Sequence, residues 1–301
     1  MSMRYPAGFI SAFYNPLKNP NAPTIGTATA SSGSASIAFT APSDVGGSAI
    51  TSYIAISTPG GFTGTAASSP VTVTGLTNGT AYTFKVWANN SYGPSVLSAA
   101  SNSVTPAMSP GTAYEGGYFA GQISTTGTGV ADYNLVVGPI SSAQSTLQWK
   151  TSNTYDAGVD SVIDGPGNSN VLNDSAHPAV QFCKGLSVGG YSDWYMPAQN
   201  ELEICYYNLK PTTTSNNTST GANTNAVPSR SSNYTSGTPT QTSASLFITS
   251  TGAQAFTASY YWSSTSPYNA YARRQHFGYG LQDRGAKVNT TLVRAVRRVA
   301  V

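Results

Sequence analysis

Between positions 22 and 107 apolar and polar residues alternate in short runs. Turn-forming Gly, Pro, Asn and Ser interrupt them about every 8–12 positions, the spacing of a β-sandwich. ASIAFTAP places Ala35, Ile37 and Phe39 on one face, and SYIAISTPGG does the same with Ile54 and Ile56. PVTVTGL adds Val71 and Val73, and AYTFKVWANN adds Tyr82, Phe84, Val86 and Ala88. Successive strand residues point to opposite faces, so the four segments are predicted to close one core. The same phase sends Trp87 outward with Thr83 and Lys85. It is an interface candidate, or a ring lying flat over neighbours of its own sheet.

From 108 to 301 the pattern changes to that of a separate α+β domain. GGYFAGQI and NLVVGPI read as opening strands, followed by QWKTSNT and a polar loop, DAGVDSVIDGPGNSNVLNDS. SAHPAVQFCKGL predicts a helix capped by Asp174 or Ser175. MPAQNELEICYYNLK predicts a second, with Glu201 and Glu203 well placed in its first turn. Cys183 and Cys205 each join an apolar helical stripe, so reduced thiols in one core are expected, a disulfide being the alternative. Residues 212–245 offer almost nothing to bury and predict a long polar excursion. SLFITST, ASYYWSSTSP, ARRQHFGYGL and TTLVRAVRRVAV read as closing strands. Residues 1–21 carry Phe9, Ile10, Phe13 and Tyr14 broken by Pro6 and Pro16, too little for a core. They read as an anchoring arm, with Phe9, Phe13 and Tyr14 as interface candidates, or as a frayed terminus.

Only 8% of the 301 residues are charged, against about 25% in an average soluble domain, which suits loop-rich β-proteins outside cells. A net charge of +3 gives no case for nucleic acid. Its distribution is uneven, however. Arg273, Arg274, Arg284, Lys287, Arg294, Arg297 and Arg298 oppose Asp283 alone, which points either to an anionic partner or to arginines bonding backbone carbonyls. The N-terminus lacks the apolar run of a signal peptide, and no stretch approaches the roughly 18 apolar residues that span a bilayer. A soluble protein folded in a cytoplasm is expected, with no membrane insertion.

Two resemblances sharpen this reading. In GLTNGTAYTFKVWANNSYGPSVLSAASNSVTP, Leu76, Gly79 and Tyr82 are spaced like the tyrosine corner of fibronectin type III domains, with Phe39 where tryptophan is common. GYSDWYMPAQNELEICYYNL, then YYWSSTSP and LVRAVRRV, resemble the DUF1566-type domain. That resemblance implies a C-type-lectin-like fold and a role among phage receptor-binding proteins. The expected architecture is an all-β fibronectin type III sandwich (22–107) followed by an α+β C-type-lectin-like domain (108–301). The expected protein is a homo-oligomeric virion surface component of tail-fibre type, released by lysis. Its arm would contact other virion proteins and its C-terminal domain a host-surface glycan or protein. A capsid decoration or baseplate protein and an envelope-polysaccharide depolymerase are the alternatives.

Candidate chemistry is sparse. Gly185 to Gly189 spell GxSxG, with Asp193 and His276 completing a triad on paper, yet a helical stretch precedes the serine where a strand is required. Asp193, Glu201 and Glu203 could form a glycosidase pair, but helix-dipole stabilisation explains the two glutamates without substrate. Asp156, Asp160, Asp164, Asn168, Asn170, Asn173 and Asp174 offer oxygens to calcium without EF-hand spacing. No catalytic residue, metal or cofactor is therefore expected. The densest recognition chemistry lies in TSPYNAYARRQHFGYGLQDRG. Tyr268, Asn269, Tyr271, Arg273, Arg274, Gln275, His276, Tyr279 and Gln282 combine amphipathic rings with directed hydrogen-bond donors. The resemblance implies that this region is receptor-facing. Phe277 and Leu281 are expected to pack inside, as are Trp194 and Trp262.

Overall fold

The computed structural model describes residues 17–301. Phe9, Phe13 and Tyr14 lie outside the described residues. The chain divides into two compact units, one ending at Met108 and one spanning Ser109–Val301.

The first unit holds strands β1 (Thr24–Ser31), β2 (Ser34–Thr40), β3 (Ser52–Thr58), β4 (Thr63–Ala66), β5 (Val71–Thr74), β6 (Thr83–Asn90) and β7 (Gly93–Pro94). They form two sheets, β1-β2-β5 and β4-β3-β6-β7. The inward residues of β2, β5 and β6 are those the alternation predicts, from Ala35 to Ala88. Strand β3 runs in the other phase: Tyr53, Ala55 and Ser57 are buried, while Ile54 and Ile56 face outward. Pairing decides this, because Tyr53, Ala55 and Ser57 lie opposite the inward Ala88, Val86 and Phe84 of β6. A one-residue slip would exchange the faces of the whole strand. The Tyr53 ring, 4.5 Å from that of Phe39, fills volume that an isoleucine would leave empty. The buried Ser57 hydroxyl donates to the Pro59 carbonyl and accepts the Phe62 N–H. Trp87 is half-buried on the outer face, opposite Ile54.

The tyrosine corner forms: Tyr82 Oη accepts the Thr77 N–H at 3.1 Å. Past β7 the chain follows β6 in an unusual way. The amides of Ser95, Ser98 and Ser101 donate to the carbonyls of Ala88, Val86 and Phe84. The hydroxyls of the same three serines accept the Ala88, Val86 and Phe84 N–H groups, at 2.9–3.0 Å. Each hydroxyl also donates to the carbonyl of the next residue. A stride of three along this segment is thus matched to a stride of two along β6.

The second unit opens with β8 (Ala113–Tyr114), β9 (Gly117–Ile123), β10 (Tyr133–Val137), helix α1 (Ile140–Ala143) and β11 (Gln144–Gln148). Helices α2 (Gly165–Val171), α3 (Pro178–Lys184) and α4 (Gln199–Leu209) follow. The unit closes with β12 (Ala226–Val227), β13 (Tyr260–Trp262), β14 (Tyr271–His276), β15 (Gln282–Ala286), β16 (Thr290–Arg294) and β17 (Val296–Ala300). One sheet runs β12-β9-β10-β17 with β8 on β9, the other β11-β16-β13-β14-β15. The terminal run thus contributes to both sheets, changing over at buried Ala295, whose N–H donates to the Ala143 carbonyl while its own carbonyl accepts the Gly138 N–H.

Two apolar clusters fill this unit, one around Tyr206, Phe247, Phe256, Tyr261 and Phe277, the other around Trp149, Trp194 and Trp262. Cys205 belongs to the first and Cys183 to the second, as free thiols, so they do not share one core. Truncating an aromatic so enclosed costs about 3–5 kcal/mol.

Several elements depart from expectation. The polar stretch before α3 contains α2, whose first turn holds Pro166 and whose cap is Asp164, accepting the Gly167 N–H. Asp174 does not cap α3; it accepts from the Ala176 amide and sits 2.7 Å from Nδ1 of His177, the residue at the helix boundary. SLFITST is not a strand but a short 3-10 turn, Ser245–Phe247, which pushes Phe247 into the core. The excursion 212–245 buries side chains after all, Ala226 and Pro239 and the polar Asn216, Asn223 and Tyr234. Tyr234 and Asn223 donate to Glu203, and Asn216 accepts from Tyr206 Oη.

Candidate functional site

Strands β14 and β15 pair antiparallel, with Tyr271 opposite Ala286, Arg273 opposite Arg284, Arg274 opposite Asp283 and Gln275 opposite Gln282. Directly opposed residues share a face and neighbours alternate, so the nine candidate residues cannot form one surface.

On one face Tyr271, Arg273 and Arg284 meet Tyr268 from the preceding loop, where Asn269 is exposed. An Arg273 guanidinium nitrogen donates to Tyr268 Oη at 3.1 Å. The Arg284 guanidinium lies 5.1 Å from the Tyr268 ring centre and 5.3 Å from that of Tyr271. Among the described residues no carboxylate pairs with Arg273 or Arg284, and the buried Nε of Arg273 has no acceptor. Like charges directly opposite on a sheet are destabilising, so this pair costs the fold stability.

The other face is internally satisfied. Arg274 grips Asp283 through two nitrogens, at 2.7 and 3.3 Å, and lies 3.8 Å from the Tyr260 ring centre. His276 stacks on Tyr279 at 4.1 Å, and its Nδ1 accepts the Gly278 N–H. Burial lowers its pKa, which keeps the ring neutral at neutral pH. Gln275 and Gln282 lie on the Arg273 face, farther along the hairpin, but Gln275 is 1% exposed, donates to Tyr234 Oη and accepts from Gln282. Gln275 therefore belongs to the core, drawn inward by the polar group that Tyr234 carries there. Phe277, Trp194 and Trp262 are fully buried, and Leu281 is half-buried.

The remaining basic residues of the C-terminal stretch turn inward. Lys287 is fully buried, donating to Asp156 and the Thr154 carbonyl. Arg294 donates to the Gly138 and Gln254 carbonyls, and burial pushes its pKa down to about 10. Arg297 is bidentate on Asp193, and Arg298 holds Glu201.

The candidate catalytic carboxylates have protein partners. Glu201 accepts from Tyr195 Oη, the Ala198 amide and Arg298, and Glu203 from Asn223, Tyr234 and Arg230. Both are fully buried, and burial raises their pKa values against these partners. Gly185 ends α3, so Ser187 follows a helix, and no hydrogen bond joins Ser187, Asp193 and His276 among the described residues. In the oxygen-rich loop Asp156 accepts from Lys150 and Lys287 and meets His177 at 3.1 Å, while Asp164 caps α2. Among the described residues no group of three or more His, Cys, Asp or Glu is arranged to hold a metal ion. No helix there is long and apolar enough to cross a membrane.

In the sequence Arg284 is only one of seven basic residues in the C-terminal stretch. The turn after Phe277, once its length fixed the hairpin register, is the signal that would have paired it with Arg273.

Solved structures similar to this chain carry fibronectin type III and immunoglobulin-like domains. "Titin kinase and its flanking domains" shares 30% identity over 30% of this chain and 17% of that one, with a TM-score of 0.27. The twitchin kinase region from C. elegans shares 22% over 30% and 17%, at 0.27. The chicken CNTN1 FN1–FN3 domains share 16% over 40% and 42%, at 0.27. The chain thus spans less than half the length of each. No protein with a curated description matches it. The family model of the Lcl C-terminal domain matches residues 138–297, the stretch that runs from the end of β10 through the arginine pair to β17. The chain belongs to the Lcl C-terminal domain family.

Proposed function

We propose that this chain is a non-enzymatic recognition protein on the surface of a bacteriophage particle, of tail-fibre or receptor-binding type. In this reading the first unit is a fibronectin-like spacer and the second a C-type-lectin-like α+β platform that binds an acidic host-surface glycan. The observation that carries it is the pair Arg273 and Arg284, opposed on neighbouring strands without a carboxylate and flanked by Tyr268 and Tyr271. A carboxylate, phosphate or sulfate bridging two guanidinium forks makes charge-assisted bonds and removes the repulsion between them. The tyrosine rings supply contact area at little entropic cost. Homo-oligomerisation and attachment through the N-terminal arm would multiply weak single sites by avidity.

Adsorption to host cells, and to immobilised polyuronate against neutral dextran, tests this. The double variant Arg273→Ala/Arg284→Ala should lose salt-sensitive binding while its melting temperature stays level or rises, because the like-charge pair is gone. Normal adsorption by that variant refutes the assignment. One observation favours the second reading, a capsid decoration or baseplate role: the outer face of the first unit carries Ile54, Ile56 and Trp87 together, a stripe suited to a virion neighbour.

A further inference from the structure

Two adjoining hollows, of about 520 and 280 Å3, lie beside the end of α4 and the loop 212–245. Tyr207 and Thr238 line both, so they form one groove divided by a tyrosine ring. The combined space falls within the size of ordinary small-ligand sites. The larger hollow is walled by Pro110, Asn208, Pro239, Thr240, Gln241 and Ser243, the smaller by Arg230 and residues 231–235.

The chemistry of these walls is narrow. Arg230 is the one charged side chain in either, and it is neutralised by the fully buried Glu203. Its guanidinium lies 3.8 Å from the Tyr207 ring centre and so holds that ring in place, while its buried Nε has no acceptor. The hydroxyls of Ser231, Ser232, Thr240 and Ser243 are exposed and make no internal hydrogen bond among the described residues. An anion finds no free cation here, and a lipid finds too few apolar walls. A compact molecule with many hydroxyls and an apolar ring face matches the groove.

We propose that this groove is a binding site for an uncharged oligosaccharide, one sugar ring packed on Tyr207 and its hydroxyls bonded to the serine, threonine and amide groups around it. The site shares no residue with the arginine pair and does not depend on it.

The test is saturation-transfer NMR on the full chain with maltotriose, cellotriose and chitotriose. At least one should bind saturably and survive high salt. Tyr207→Ala should weaken it about tenfold, the scale of one good aromatic contact. Because that change also frees Arg230, Thr240→Trp, at an exposed wall position, serves as a second variant that fills the groove and should abolish binding. Arg273→Ala/Arg284→Ala should leave it intact. The proposal is overturned if none of the trisaccharides binds, if both groove variants bind as the native chain does, or if loss of the arginine pair removes the signal.

Discussion

Glu203 is the residue whose removal has the largest consequence that can be worked out from contacts. Fully buried on α4, it accepts from Arg230, Asn223 and Tyr234, all from the excursion 212–245, and so ties that loop to the core. In Glu203→Ala the Arg230 side chain, 14% exposed, loses its counter-charge. Breaking a buried pair in this way costs about 3–5 kcal/mol. The Asn223 and Tyr234 losses should not add in full, since Asn223 still donates to the Asn200 carbonyl and Tyr234 still accepts from Gln275. At about 2–4 °C per kcal/mol for a unit of this size, calorimetry should show the transition of the second unit falling by about 6–20 °C. Glu203→Ala/Arg230→Ala should regain part of the loss, because the stranded charge is gone. A loss below about 1 kcal/mol in the single variant, or a double variant worse than the sum, would refute the claim that the loop hangs on this pair.

Further outcomes follow from other contacts. Burial pushes the Asp156 pKa up, but hydrogen bonds from Lys150 and Lys287 outweigh it and hold the group below the usual carboxylate range. A depressed folded pKa contributes stability above the unfolded value of about 3.9 that disappears as pH falls through the folded one, so urea midpoints of Asp156→Asn should be lower at neutral pH and flatter in acid. Gln275→Ala should cost about 1–3 kcal/mol, because Tyr234 Oη loses a donor, Gln282 loses its acceptor and a core side chain is truncated, without changing ligand binding; exposed Tyr271→Ala should do the reverse, and melting curves beside adsorption assays separate them. Burial raises both thiols, Cys183 and Cys205, far above their ordinary range. Iodoacetamide should therefore label neither in the native protein and both after denaturation, as mass spectrometry would show.

How much of this was legible follows from what kind of rule each element obeys. The β-sandwich alternation of β2, β5 and β6 is local, and it holds residue by residue. Strand β3 reads equally well in either phase, since Tyr53-Ala55 and Ile54-Ile56 are both apolar; only its pairing with β6 chooses. Helix α4 carries its signals in its own sequence, whereas α2 is seven residues of Gly, Pro, Asn, Ser and Val whose clue was the Asp164-Gly165-Pro166 start. The crowding of Tyr, Arg and Gln between Tyr268 and Gln282 is visible in composition, but its division between two faces needs a register. The C-terminal arginines looked like a surface charge because their partners, Asp193, Glu201 and the Gly138 and Gln254 carbonyls, come from distant parts of the chain.

The serine-led segment along β6 bears on how such a protein tolerates crowding. A bare outer strand offers a row of free amide and carbonyl groups at the two-residue repeat that any passing extended chain can adopt, which is the usual route to fibrils. Ser95, Ser98 and Ser101 each occupy one amide and one carbonyl of β6 while their own backbone advances in threes, so an incoming strand finds no matching ladder to extend. That side of the sheet is thereby closed to growth by the protein's own chain.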